Sequence, residues 1–123
     1  MSLISEFLRH RIKSFSDAFN GITLAFRSEV HFKIHLFFTL FAIGAGFVFS
    51  ISPVEWGLII LVIGFVWVSE MINTAIERSV DMITTDYHPL AKQAKDISAG
   101  AVLIAAFISV LIGLIVFLPK IFN

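Results

Sequence analysis

Residues 54–76 read VEWGLIILVIGFVWVSEMINTAI, and this stretch decides the fold. Up to Val68 it is apolar apart from Glu55. A bilayer-crossing helix needs roughly 20 mostly apolar residues, so the segment predicts a membrane span whose last turns turn polar. Two more stretches qualify. Residues 32–51 read FKIHLFFTLFAIGAGFVFSI, with Lys33 and His35 confined to the first turn, and residues 97–118 read ISAGAVLIAAFISVLIGLIVFL, closed by Pro119. Between the first two spans Ser52-Pro53 leaves room only for a tight turn, so those helices form an antiparallel hairpin.

The whole composition agrees. The chain has 123 residues, 58% hydrophobic and 15% charged, where a soluble domain carries about a quarter charged residues. One soluble core of this size cannot hide so much apolar surface, and disorder requires the opposite balance. Without cysteine there is no disulfide framework, thiolate metal site or thiol nucleophile. Nine basic and nine acidic residues cancel, which gives no general affinity for nucleic acid. The chain is expected to be an all-α integral membrane protein, residues 1–123 forming one domain.

Residues 1–31 follow another pattern. Ile4, Leu8, Ile12, Phe15, Phe19, Ile22 and Phe26 recur every three or four positions, with Arg9, Arg11, Lys13, Asp17 and Asn20 elsewhere. That is an amphipathic helix lying in the membrane interface, or packed on a soluble partner. Asn20-Gly21 is a candidate break in it. A cleaved signal peptide fits poorly, because the first apolar run begins late and lacks a small-x-small site. Basic residues gather before the first span (Arg9, Arg11, Lys13, Arg27, Lys33) and between the second and third (Arg78, Lys92, Lys95), with only Lys120 at the C-terminus. The positive-inside rule then puts the N-terminus and residues 77–96 in the cytoplasm and the C-terminus outside.

Glu70, Asn73 and Glu77 fall at i, i+3 and i+7, with Asp81 four further on, so they share one helix face if the helix continues. Glu70 lies about 10 Å deeper than Glu77, at about 1.5 Å rise per residue. An ionised carboxylate at that depth costs several kcal/mol unless it faces a partner or water. It is either a protonated glutamate bonded between helices or the general base of an interfacial reaction site. Glu29, at the junction of surface helix and first span, is level with Glu77. Taken singly each is a solvated boundary residue; as a pair they favour a shared hard cation such as Mg²⁺, held together with a phosphate. Lys92 and Lys95 serve either a phosphate or topology alone, and His88 either bridges a phosphate or a metal or is a lone loop histidine that does neither. Ala101, Ala105, Ser109 and Gly113 recur every four residues as a close-packing face. Burying Glu70 with only three thin helices points to a homo-oligomer. Neither a GxxxxGK[ST] loop nor a GxGxxG, HExxH or GxSxG motif occurs.

SEMINTAIERSVD (Ser69–Asp81), DYHPLAKQAKDISAGAVL (Asp86–Leu103) and AFRSE (Ala25–Glu29) together resemble the prokaryotic diacylglycerol kinase and undecaprenol kinase family of three-span lipid kinases. The resemblance runs from about Lys13 to the end of the chain. It implies a homotrimer in the bacterial cell (inner) membrane that transfers the γ-phosphoryl group of Mg-ATP to a lipid hydroxyl at the cytoplasmic interface. It further implies that Glu70 is the general base, that Asn73 positions base or phosphate, and that Glu29 and Glu77 bind Mg²⁺ beside the nucleotide. Asp86, Tyr87 and His88 match the stretch near the nucleotide, and Lys95 with Asp96 the pair facing its phosphates and nucleoside. Asp17 stands where relatives carry an aromatic residue, and Arg9 and Arg11 compete for the arginine assigned there, which leaves the N-terminal nucleotide contacts open. SISPVEW and the C-terminal span resemble the Gram-positive-type branch, which implies undecaprenol as acceptor, with diacylglycerol as the alternative. A channel subunit would need polar residues along a whole span, and a partner-recruiting scaffold leaves Glu70 and Asn73 without a task.

Overall fold

The computed structural model describes residues 2–123 as four helices: α1 (Leu3–Ser28), α2 (Val30–Val48), α3 (Pro53–Ile83) and α4 (Pro89–Ile121). No strand occurs among the described residues. The last three helices are long and apolar enough to cross a membrane.

Helix α1 starts at Ser2, whose hydroxyl accepts the Ser5 N–H, satisfying a donor that the first turn leaves free. It runs unbroken through Asn20-Gly21. An interior glycine costs about 1 kcal/mol, too little to interrupt a helix already formed on both sides. The apolar stripe from Ile4 to Ile22 is exposed, so nothing else among the described residues covers it. Glu29 alone separates α1 from α2, in an extended conformation (φ −116°, ψ 123°) that ends one helix and caps the next.

Helix α2 ends three residues short of Ile51. Ser50 takes a positive φ of 51°, Ile51 N–H reaches back to Gly46 C=O and Ser50 N–H to Phe47 C=O, a Schellman closure. Helix α3 starts at once: Ser52 Oγ accepts the Glu55 N–H, Glu55 Oε2 accepts the Ser52 N–H, and Pro53 occupies the first turn. Each end satisfies its own free backbone groups, which is how so short a link reverses the chain.

At 31 and 33 residues, α3 and α4 are about 46 and 50 Å long, against a hydrocarbon core of about 30 Å. The segments 54–76 and 97–118 are therefore only their apolar portions. The surplus turns carry Glu77 and Asp81 on α3 and Lys92, Lys95 and Asp96 on α4, so those last three are helical. Only residues 84–88 link the two helices, and His88 caps α4 by accepting the Leu90 N–H on Nδ1. At the far end α4 passes Pro119 and stops at Ile121. The proline ring removes the hydrogen bond to the Ile115 carbonyl and crowds that oxygen, and the helix ends two residues later.

The tightest packing runs between α3 and α4. Ile59, Val62, Val66, Glu70 and Asn73 belong to the buried stripe of α3, at steps of three or four residues. The apolar core lies at the far end, around Ile51, Ile59 and Val116. Toward the other end Phe26, Phe32 and Trp67 form an aromatic cluster, with ring centroids 4.8–5.7 Å apart, and Trp67 Nε1–H donates to Thr39 Oγ1. This cluster pins the end of α1 and the start of α2 against α3. The four-residue stripe of small residues on α4 divides: Ala105 is buried, while Ala101 is exposed.

Candidate active site

The α3 stripe changes character between Val66 and Glu70. Glu70 is only 5% exposed and Asn73 only 9%, so both occupy core positions in the register set by Ile59, Val62 and Val66. A buried carboxylate demands a partner, and α2 supplies one: His35 Nε2 lies 2.8 Å from Glu70 Oε1. Phe32, one turn before His35, and Trp67, one turn before Glu70, belong to the aromatic cluster, which fixes the two helices in the register that makes the pair. Glu70 Oε2 has no hydrogen-bond partner among the described residues, yet no buried side-chain oxygen there is left without one. Oε2 therefore keeps an opening to its surroundings.

One turn nearer the helix end a second polar layer begins. Ser98 Oγ on α4 donates to Asn73 Oδ1 at 2.7 Å and lies 3.0 Å from the Lys95 carbonyl. Asn73 Nδ2 points at Glu77 Oε1, 3.5 Å away. Glu77, Asn73 and Ser98 thus form a ladder from the polar end of α3 to the α4 turn that bears Lys95. Lys95 Nζ pairs with Asp81 Oδ1 at 2.6 Å and Lys92 with Asp96 at 2.5 Å. These pairs are exposed, so they contribute little to stability and leave the cations available to a stronger anion.

Beyond the ladder, a groove between the ends of α3 and α4 is lined by Thr84, Asp86, Tyr87, His88, Lys95 and Asp96, among others. Asp86, Tyr87, His88, Lys95 and Asp96 therefore meet in one depression, while Glu29 and Glu77, also expected beside the nucleotide, do not line it. Glu29 is tied to the same end differently. Arg78 Nη2 lies 3.6 Å from Glu29 Oε1 and 2.6 Å from Ser28 Oγ, so the residue next to Glu77 holds the hinge carboxylate. No cluster of three or more metal-ligating side chains occurs among the described residues. Glu29 faces Arg78 and Glu77 faces Asn73; Mg²⁺ commonly takes one or two carboxylates from the protein and the rest of its oxygens from phosphates and water, so the donor chemistry alone fits it.

Three neighbours, His35, Arg78 and Ser98, were given no part in the site by the sequence, and Asp81, placed on the α3 face, was given no partner. His35 carried a signal, being a titratable residue inside a span opposite an equally misplaced acid. Arg78 and Ser98 carried less, since each suits a membrane boundary for ordinary reasons. Glu70 is buried within a single chain, with His35 of α2 against it.

Comparison with known proteins follows the same lines. Residues 16–117 match the prokaryotic diacylglycerol kinase family. Undecaprenol kinase of Bacillus subtilis is 46% identical over 113 residues, 92% of either chain. Diacylglycerol kinase of Synechocystis is 36% identical over 89% of this chain and 63% of its own. That of Escherichia coli K12 is 31% identical over 81% and 82%.

Proposed function

Because the chain belongs to the prokaryotic diacylglycerol kinase family and is a lipid kinase, we propose that it phosphorylates undecaprenol with Mg-ATP at the cytoplasmic face of the bacterial cell membrane. One observation carries the site: the α3 stripe Glu70–Asn73–Glu77 runs from a buried level up to the groove that gathers Asp86, Tyr87, His88, Lys95 and Asp96. A lipid alcohol reaches a base only at membrane depth, and a triphosphate only at the aqueous end. This stripe spans both. The acceptor is supported by the relative named undecaprenol kinase, alike over nearly all of both chains.

In this reading Glu70 Oε2 takes the proton from the lipid hydroxyl as the hydroxyl oxygen attacks the γ-phosphorus, whose bond to the β,γ-bridging oxygen breaks to release ADP. Asn73, held by Ser98, aligns the base and the transferring group. Lys95 leaves Asp81 for the phosphates, and Asp96, Asp86, Tyr87 and His88 border the nucleoside. Glu29 and Glu77 would hold Mg²⁺, which supplies charge neutralisation on the phosphate oxygens. Phosphoryl transfer rests on such positioning and neutralisation more than on covalent chemistry. The basic residues of the N-terminus and of 77–96 support a cytoplasmic N-terminus and an external C-terminus. A homotrimer is supported by the resemblance to the family and by the open groove, which one chain does not enclose.

The test is purified protein in mixed micelles with labelled ATP and Mg²⁺, given undecaprenol and diacylglycerol in parallel. Faster labelling of undecaprenol is expected. A preference for diacylglycerol would reassign the acceptor.

A further inference from the structure

We propose that His35 is the positioning residue of Glu70, so that the base works as a His35–Glu70 dyad with one carboxylate oxygen fixed and the other presented to the lipid hydroxyl. The proposal rests on Glu70 being the base. The geometry is a 2.8 Å contact between His35 Nε2 and Glu70 Oε1, with the histidine side chain 20% and the glutamate side chain 7% exposed. A carboxylate ready to accept a proton has no hydrogen to give, so Nε2 carries the hydrogen and donates. That bond does two things. It supplies the partner that an ionised carboxylate needs at this depth, where solvation is poor. It also removes the rotation that would let Oε1 and Oε2 exchange places, leaving Oε2, which has no partner among the described residues, as the atom that meets the acceptor.

The aromatic cluster keeps the dyad in register. Phe32 and Trp67 sit three residues before His35 and Glu70 on their respective helices, with ring centroids 5.5 Å apart. The two side chains therefore approach from helices already locked together, and neither has to search for the other. Such prepositioning is the difference between a nearby group and an effective one, since a misplacement of about 1 Å costs about 10²-fold in rate.

The experiment compares His35→Met with His35→Gln in the full-length protein, because both fill about the imidazole's place while only glutamine keeps an N–H at its tip. For His35→Met, kcat is expected to fall about 100-fold with KM for Mg-ATP unchanged. His35→Gln should recover most of that loss. An unchanged KM also shows that the nucleotide side of the protein has remained folded. Glu70→Gln and the Glu70→Gln/His35→Met pair complete the cycle, and the pair should be no slower than Glu70→Gln alone, as for residues acting as one unit. Parent-like kcat in His35→Met alongside a slow Glu70→Gln would overturn the dyad and spare the base. Equal loss in the Met and Gln variants would overturn orientation by hydrogen bonding. Parent-like kcat in Glu70→Gln would instead sink the assignment of Glu70 itself.

Discussion

Ser98 on α4 donates its hydroxyl hydrogen to Asn73 Oδ1 on α3 across 2.7 Å, and both residues are buried. With Oδ1 accepting, the Asn73 amide group has its Nδ2 directed at Glu77. Ser98→Ala removes the donor and leaves a buried carbonyl oxygen unmatched, which costs about 1–3 kcal/mol. It also frees the amide to turn. Thermal unfolding in detergent should show the lost stability, and kcat should fall further than stability alone explains. Ser98→Thr, which keeps the hydroxyl, should hold kcat nearer the parent's.

Glu70→Gln keeps the volume and a hydrogen-bonding end but removes the basic oxygen. Removing a positioned general base slows turnover about 10²–10⁴-fold. ATP binding, measured by isothermal titration or fluorescent nucleotide, should persist, because the groove lies at the aqueous end of the helices. A variant turning over as fast as the parent would take Glu70 out of the chemistry.

Chelation of divalent ions should stop lipid phosphorylation, and added Mg²⁺ should restore it. Glu29→Gln should raise the Mg²⁺ concentration for half-maximal rate by about tenfold or more, the effect of about 1.4 kcal/mol. Glu29 also faces Arg78, so Arg78→Ala serves as the contrasting variant. If Glu29 acts only by holding Arg78, the two variants will show the same Mg²⁺ dependence.

The three spans were legible because hydropathy and length are local properties of a chain, and the polar face of α3 because Glu70, Asn73 and Glu77 share one period. The buried face of α3 continues that period without a break, which is why Glu70 lies inside. The His35–Glu70 contact was not legible, since it joins residues 35 apart and depends on how Phe32, Trp67 and Phe26 set two helices against each other. Arg78 was hidden similarly: its sequence position suits the positive-inside rule, and only the bend at Glu29 brings a partner to it. The lengths of α3 and α4 escaped hydropathy because their surplus turns are polar. The cap at His88 marks the α4 end better. Small residues on α4 predicted close packing, but a strict four-residue step drifts around a helix of 3.6 residues per turn, so one neighbour cannot cover them all.

A Cβ added to Gly46 would lie 2.6 Å from Trp56 Cη2, 2.8 Å from Trp56 Cζ2 and 3.1 Å from Ile51 Cδ1. The indole cannot simply swing aside. Its helix begins only a few residues earlier, at the Ser52–Glu55 capping box, and its other neighbour is Phe47, with ring centroids 5.0 Å apart. Ile51 is equally confined, as its N–H is bonded to the Gly46 carbonyl. Gly46→Ala should therefore destabilise the protein by about 1–3 kcal/mol, the range for overpacking a filled core, despite alanine being the better helix former. Trimming the indole in Gly46→Ala/Trp56→Leu should recover part of that loss, which unfolding midpoints in detergent would show. Lipid kinase activity below the unfolding transition should stay near the parent's, since the polar ladder and the groove lie at the opposite end of α3.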